Sequence, residues 1–245
     1  RGDNLVININ GSESTLFDEI KPMGFWWDGK FVFAARSGDR WRIYKGDEEI
    51  SDIYRSISEV AINLYGTAAG ASAALSSGKM VAILFSDEYR EPLISKQYNS
   101  VSNIALHPEV PLLSFGADWE GTNYVVLSST EYFAGPEYSK PAFSYDGSEL
   151  YFIGCDIDCF VSINGRRCPT KTMLEINYKY AYKPGSRTMA YSTSSTMIVR
   201  YLDTQELYAG MMVDRIIPPR YNWRMRRYET LGNVSGKLYL LTCRV

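Results

Sequence analysis

Four acidic residues are the candidates for acid–base chemistry in this chain: Asp118, Glu120, Asp156 and Asp158. Paired carboxylates can transfer protons without a histidine, and they would support a lyase or hydrolase. The chain has a single histidine, His107, followed by Pro108, and it has no Gly-x-Ser-x-Gly motif. Nucleophilic catalysis by a triad therefore finds little support in the sequence, and we expect His107 to be an ordinary surface residue at a turn.

A second candidate is the segment from Arg215 to Tyr228, in which arginines alternate with aromatic residues. Guanidinium groups bind carboxylates or phosphates through paired hydrogen bonds and stack on aromatic rings. The segment contributes four predicted binding residues, which are Arg220, Trp223, Arg224 and Arg226. A strand over 223–229 would place Arg224 and Arg226 on one face. The alternative is that these arginines pair with acidic residues of neighbouring strands and have a structural role.

Three of the four cysteines lie close together, at Cys155, Cys159 and Cys168, and the fourth is Cys243. With one histidine and no repeated Cys-x-x-Cys pair, a zinc site has little support. Two carboxylates between Cys155 and Cys159 are too few for calcium, which prefers six to eight oxygen ligands. We interpret this segment as a hairpin turn with either a disulfide or free thiols, and we predict no metal and no cofactor.

Composition excludes several classes of protein. The chain has 245 residues, of which 45 % are hydrophobic and 22 % are charged, and its net charge is -2. These values are those of a globular protein, and they disfavour a disordered segment, a collagen-like fibre and a nucleic-acid-binding protein. No apolar run is long enough for a membrane-spanning helix. The chain begins at Arg1 without a signal-peptide pattern, which indicates a processed or excised fragment.

The elements that must position these residues recur along the chain. Six runs of β-branched and aromatic residues end at turn residues spaced about 40 residues apart, which are Gly11, Gly46, Asp87, Ser129, Gly165 and Asp203. This is the period of a propeller blade with four short strands, A to D. The fourth repeat is the clearest, with strands over 140–144, 150–154, 160–164 and 172–176. The one helix-competent stretch, residues 67–75, is equally consistent with a strand.

We therefore predict an all-β, six-bladed β-propeller of four-stranded antiparallel blades, forming a single domain over residues 1–245. The predicted blades span residues 21–56, 57–99, 100–138, 139–177, 178–213 and 214–245 with 1–20. The last blade combines both termini, with KLYLLTCRV as strand B, NLVINING as strand C and STLFDEI as strand D. A shared blade closes the ring and leaves no unpaired strand edge.

Two segments carry a resemblance to a known family. KPAFSYDGSELYFIG and IKPMGFWWDGKFVFAARSGDRWRIYKG resemble the WD-like β-propeller repeat of TolB-type propellers and of the propeller domains of prolyl oligopeptidases. The resemblance implies the propeller fold and, more loosely, binding of a protein partner. It favours a periplasmic or extracellular location.

In a propeller, the B–C and D–A loops lie on one face, where binding usually resides. The predicted binding residues in these loops are Arg36, Arg40, Asp118, Trp119, Tyr138, Asp156 and Asp158. Together with the arginine-rich segment they predict a non-enzymatic module for protein–protein interaction. The alternatives are a carbohydrate-binding propeller and, third, a lyase or hydrolase that uses the acidic loop residues.

Overall fold

The computed structural model describes residues 5–9, 12–13, 15–144, 146–169, 181–183, 188–201 and 207–244. All regular structure in these ranges is β-strand, so residues 68–74, within the segment that was ambiguous in sequence, form a strand. No helix in the described ranges has the length and apolar character to cross a bilayer. The predicted strand over 172–176 and the turn residues Gly11 and Asp203 lie outside the described residues.

The chain divides into two compact units, Arg1–Phe133 with Lys140–Ala142, and Ala134–Ser139 with Phe143–Val245. The first unit holds a two-stranded sheet and three four-stranded antiparallel sheets. The two-stranded sheet consists of β1 (Asn8–Ile9) and β2 (Ser12–Glu13). Sheet I consists of β3 (Glu19–Phe25), β4 (Phe31–Ser37), β5 (Arg40–Lys45) and β6 (Glu48–Glu49). Sheet II consists of β7 (Ser56–Ile62), β8 (Ala68–Ala74), β9 (Met80–Ser86) and β10 (Leu93–Ile94), and sheet III of β11 (Ser100–Leu106), β12 (Leu113–Trp119), β13 (Thr122–Leu127) and β14 (Thr130–Phe133).

The second unit holds three further antiparallel sheets. Sheet IV consists of β15 (Glu137–Tyr138), β16 (Ala142–Phe143), β17 (Leu150–Cys155), β18 (Cys159–Ile163) and β19 (Arg166–Pro169). Sheet V consists of β20 (Ala181–Tyr182), β21 (Thr188–Ser192), β22 (Met197–Tyr201) and β23 (Leu207–Ala209). Sheet VI consists of β24 (Arg215–Ile216), β25 (Arg220–Asn222), β26 (Arg227–Val234) and β27 (Lys237–Cys243). In sheet VI, β24 and β25 both pair with β26, so together they fill the first strand position and β26 fills the second. The terminal segment KLYLLTC is β27, which pairs with β26 as the third strand, whereas the sequence predicted it to be the second.

In sheets I to IV and VI, the strand in the second position is the most buried element, which is β4, β8, β12, β17 or β26. In sheet V both β20 and β21 are almost wholly buried. All but the last residue of β8 are buried, although a sheet has two faces. Neighbouring sheets therefore cover both faces of this strand, and its small side chains let them approach. A Cβ on Gly70 would lie 2.9 Å from Leu113 Cδ1 in sheet III. Apolar clusters fill the spaces between sheets I and II and between sheets II and III.

Main-chain contacts join successive A–B turns of the first unit, which are the turns between the first and second strands of each sheet. The amide of Trp27, in the A–B turn of sheet I, donates a hydrogen bond of 3.0 Å to the carbonyl oxygen of Gly66, in the A–B turn of sheet II. Thr67 Oγ1 lies 3.3 Å from the carbonyl oxygen of Glu109, in the A–B turn of sheet III. Three turns from three sheets therefore lie side by side.

His107 begins the A–B turn of sheet III and is buried, so the expectation of an ordinary surface residue was wrong. Its Nδ1 accepts hydrogen bonds of 3.1 Å from the amides of Glu109 and Val110. The imidazole therefore satisfies two backbone donors of the turn and has a structural role.

Gly66 is essential to the contact between the first two turns. It has a φ of +67°, and a Cβ there would lie 2.5 Å from the carbonyl oxygen of Phe25. Gly29 has a φ of +84° with no atom within 4 Å of its Cβ position.

We expect Gly29→Ala to lower the free energy of unfolding by about 1 kcal/mol, the cost of a left-handed backbone. Gly66→Ala should lower it by about 3 kcal/mol, because steric overlap adds to that cost. Urea unfolding of both variants tests this, and equal losses would contradict the close packing of the turns.

Candidate functional site

Two predicted binding residues, Arg36 and Arg40, lie beside the B–C turn of sheet I. The Arg36 guanidinium is 3.5 Å from Glu19 and 3.9 Å from Asp18, so it contacts the carboxylates of its own sheet and of the segment preceding it. Arg40 is exposed and lies 3.8 Å from Asp39, its neighbour in sequence. Arg40 is therefore the more accessible of the two.

Asp118 and Trp119 end β12 at the B–C turn of sheet III. Asp118 Oδ1 accepts a hydrogen bond of 2.8 Å from Asn99 Nδ2. Trp119 is 37 % exposed, and the Lys96 ammonium lies 4.4 Å from the centre of its ring. The predicted aromatic residue is therefore accessible and already contacts a cation.

In the second unit, Asp156 and Asp158 are exposed residues of the B–C turn of sheet IV. Cys155 and Cys159 form a disulfide across the base of this turn, which decides between the two states that the sequence left open. Ile157, at the tip, is 94 % exposed. Tyr138 pairs with Gly154 in the strand below the turn.

The arginine-rich segment differs from its prediction. Residues 223–226 form the A–B turn of sheet VI, where a strand over 223–229 was expected. Arg226 has a φ of 48°, and the Arg224 guanidinium lies 5.3 Å from the Trp223 ring. Arg224 and Arg226 therefore project from a turn and do not share a strand face. They belong to an A–B turn, whereas Asp156 and Asp158 belong to a B–C turn.

Two other arginines of the segment have the structural role that the sequence left as an alternative. Glu229 is buried, and its carboxylate lies 2.8 Å from Arg227 Nε and 3.4 Å from an Arg220 nitrogen. A hydrogen bond from Asn222 and another from Arg227 hold the pKa of Glu229 below its usual range. The ion pairs satisfy a buried charge that would otherwise be costly.

Sequence reasoning missed a group of exposed apolar side chains at the A–B turns of the first unit, which we call the A–B patch. Its members are large and strongly exposed: Phe25 (60 %), Trp27 (65 %), Leu64 (61 %), Tyr65 (53 %) and Val110 (47 %). They come from the three adjoining turns of sheets I, II and III. The sequence did contain an indication of this patch: in Trp26-Trp27-Asp28-Gly29, aromatic residues stand at a turn, where polar residues are usual.

Asp87 fixes one edge of this patch. Its Oδ2 accepts hydrogen bonds of 2.8 Å from the Trp26 indole and 2.7 Å from the Trp27 indole, and its Oδ1 is 3.0 Å from Lys45 Nζ. The Lys45 ammonium also lies 4.6 Å from the centre of the Trp26 ring. Burial raises the pKa of Asp87, but the two indoles and Lys45 outweigh it and hold the pKa below its usual range. This carboxylate ties sheet II to sheet I.

A cleft of about 310 Å³ adjoins Asp87, and its lining includes Lys45, Glu48, Tyr89 and Arg90.

Acidic side chains predominate in the A–B and C–D turns of the first unit and in β6. The exposed acidic residues there are Asp28, Asp47, Glu48, Glu49, Asp87, Glu88, Glu91 and Glu109, against the exposed bases Lys30 and Arg90 and the less exposed Lys45 of β5. The surface around the patch is therefore net negative. No cluster of three or more metal-ligating side chains occurs in the described ranges.

The buried carboxylate of Glu229 makes stability depend on pH. Because its pKa is lower in the folded state, its contribution is present above the pKa of the unfolded state and is lost as the pH falls through the folded pKa. We expect the free energy of unfolding to fall from about pH 5 downward, and to fall less steeply in Glu229→Gln. At pH 7 the substitution should cost about 2 kcal/mol, since it weakens charge-assisted hydrogen bonds. Asp39→Asn is the matched control, because the Asp39 side chain is 97 % exposed. Urea unfolding at several pH values measures both, and parallel curves for wild type and Glu229→Gln would contradict this assignment.

No protein-family model and no curated protein matches the chain. Among solved structures, the Dos1 propeller matches with a TM-score of 0.52 and 12 % identity over 96 % of this chain and 71 % of that chain. The β-propeller domain of the Trilobed protease from Pyrococcus furiosus matches with a TM-score of 0.50 and 12 % identity over 96 % of this chain and 83 % of that one. A putative TolB from Agrobacterium tumefaciens matches with a TM-score of 0.44 and 12 % identity over 94 % and 83 %. The matches to the Dos1 propeller and to the Trilobed protease propeller confirm the predicted architecture at the level of fold: the chain has an all-β propeller fold with multiple four-stranded antiparallel sheets.

Proposed function

We propose that this chain is a non-enzymatic binding module that contacts a protein partner through the A–B patch. The observation that carries the proposal is the exposure of Trp27 and Tyr65 on adjoining turns, with Phe25, Leu64 and Val110 beside them. Monomeric proteins rarely expose large contiguous apolar patches, and those that do usually bind something there. Tryptophan and tyrosine are also the residues that dominate binding energy at protein interfaces.

The patch is held in place before a partner arrives. Asp87 fixes the Trp27 indole, and the Trp27 amide is bonded to Gly66. Binding then requires little ordering of the turns, which lowers the entropic cost of association.

The charges around the patch specify the chemistry of the partner. Carboxylates predominate at its edges, so the partner segment should carry lysine or arginine residues beside apolar ones. An acidic partner would be repelled.

The residues predicted from the sequence are competing candidates for the same function. In the first unit the accessible ones are Arg40 and Trp119, which we call the competing surface. In the second unit they are Asp156 and Asp158 at a B–C turn, with Tyr138 in the strand below it, and Trp223, Arg224 and Arg226 at an A–B turn. Carbohydrate binding and carboxylate catalysis stay predictions of the sequence.

The proposal includes a single six-bladed ring closed by both termini. Sheet VI fills three strand positions, and β1 and β2 provide the candidate strands for completing a blade. The disulfide between Cys155 and Cys159 supports an oxidising compartment such as the periplasm or the extracellular space.

Deletion of residues 1–13 tests closure. We expect Tm to fall by about 5 °C or more, because an open ring leaves an unpaired strand edge. Deletion of residues 1–4 alone, measured by the same thermal scan, is the control and should change Tm little. An unchanged Tm in the longer deletion would contradict closure by the N-terminus.

The double variant Leu64→Ser/Tyr65→Ser tests the A–B patch and leaves the Asp87 contacts intact. The probe is a fluorescent peptide of alternating Lys and Leu, with a Glu-for-Lys peptide as its acidic counterpart. Fluorescence anisotropy should show that wild type binds the basic peptide and that the double variant binds it at least about tenfold more weakly, as expected for the loss of two interface anchors. The acidic peptide should bind neither protein.

Arg40→Ala/Trp119→Ser is the matched control, because it alters the competing surface. We expect this control to bind the basic peptide as wild type does. If the control loses binding and the patch variant keeps it, the partner surface is the one predicted from the sequence. If neither variant loses binding, both surfaces are excluded for this peptide.

A further inference from the structure

Lys96 occupies a box formed by two aromatic rings and a carboxylate in the first unit. Its ammonium lies 4.4 Å from the centre of the Trp119 ring and 5.1 Å from the centre of the Tyr98 ring. The two rings are 6.2 Å apart and nearly perpendicular, with an interplanar angle of 88°. Glu131 Oε1 lies 2.7 Å from the same ammonium. Two perpendicular aromatic walls with a carboxylate are the chemistry by which proteins hold alkylammonium groups.

Tyr98 and Glu131 are held by contacts that do not involve Lys96. Tyr98 is buried, its backbone bonds to Met80, and its ring makes an edge-to-face contact with Phe115. The Tyr98 hydroxyl donates a hydrogen bond of 2.8 Å to Glu131 Oε1, which positions the carboxylate. Removal of the Lys96 side chain should therefore leave the cation site formed and open.

The Lys96 side chain is partly exposed. It lies between β10 and β11, and its side chain is 48 % exposed. Trp119 is also accessible, at 37 %. An ion pair this exposed contributes little to folding. Tyr98 belongs to the core, so the feature that calls for an explanation other than stability is the accessible Trp119 ring beside Lys96 and Glu131.

We propose that Tyr98, Trp119 and Glu131 form a binding site for an alkylammonium group, which Lys96 fills when the chain is free. An incoming ammonium must displace Lys96, which acts as a tethered competitor. Tethering on a short segment gives Lys96 an effective concentration in the millimolar range. A quaternary ammonium is favoured over the primary amine of Lys96, because it is more weakly hydrated and loses less on leaving water.

Choline is the probe, and 3,3-dimethylbutan-1-ol is its uncharged isostere. We expect isothermal titration calorimetry to show choline binding to Lys96→Ala at least about tenfold more tightly than to wild type, because the competitor is gone. Lys96→Ala should bind the isostere at least about tenfold more weakly than it binds choline, because only choline carries the charge. Lys96→Ala/Trp119→Leu should lose choline binding.

Lys79→Ala is the matched control, since Lys79 is another surface lysine of the first unit and donates a hydrogen bond to Asn99. It should bind choline as wild type does. Thermal melts confirm that each variant is folded. Equal affinity of Lys96→Ala for choline and its isostere would overturn the proposal, and so would equal affinity of wild type and Lys96→Ala for choline. Since the box shares no residue with the A–B patch, its failure would leave the proposed function standing.

Discussion

Burial of the second strand on both faces is the constraint on which the rest of this structure depends. Buried residues predominate in β4, β8, β12, β17 and β21, because both sides of these strands are covered. The middle of such a strand has no surface left for chemistry. Accessible groups must therefore come from the turns, from the ends of the strands and from the outer strands. Both surfaces described above, the A–B patch and the Lys96 box, draw their accessible side chains from the ends and outer strands of the sheets.

Hydrogen bonds of one carboxylate, Asp87, supplement the apolar packing between sheets I and II. Sheets I and II pack mainly through small and aliphatic side chains, which are non-directional in their attraction. Asp87 adds directional interactions, because its two oxygens accept hydrogen bonds from the Trp26 and Trp27 indoles and from the Lys45 ammonium. The same carboxylate that joins the sheets orients the aromatic side chain at the edge of the A–B patch. Structural and binding roles therefore meet at one residue.

The repeat in the sequence predicted most of the fold, and it did so through turns and alternating strands. It predicted the second and third strands of sheets I and IV well, because glycine turns bound their buried apolar runs. The outermost strand of sheet IV is β19, Arg166–Pro169, whereas the predicted strand over 172–176 lies outside the described residues. It failed over residues 223–226, which were expected to begin a strand but form a turn, with the strand starting only at Arg227. The local residue pattern cannot distinguish a strand from a turn here. It does not show that the carboxylate of Glu229 is buried and forms ion pairs with Arg220 and Arg227. His107 was misjudged for a related reason: its burial comes from backbone donors of its own turn, which no residue pattern encodes.

The candidate surfaces were harder to predict than the fold, because exposure of a large side chain is a property of packing. Trp26 and Trp27 are identical and adjacent in sequence, yet Trp26 is buried at 3 % and Trp27 is exposed at 65 %. The two surfaces also differ in what supports them. The A–B patch depends on contacts between the turns, so Leu64 and Tyr65 can be exchanged with little loss of stability, whereas exchange of Trp27 would also remove its hydrogen bond to Asp87. The Lys96 box depends on Tyr98, which belongs to the core between sheets II and III. Substitution of Tyr98 would therefore disturb both the cation site and the core. Lys96 and Trp119, which are partly exposed, are the members of the box whose substitution should disturb the sheets least.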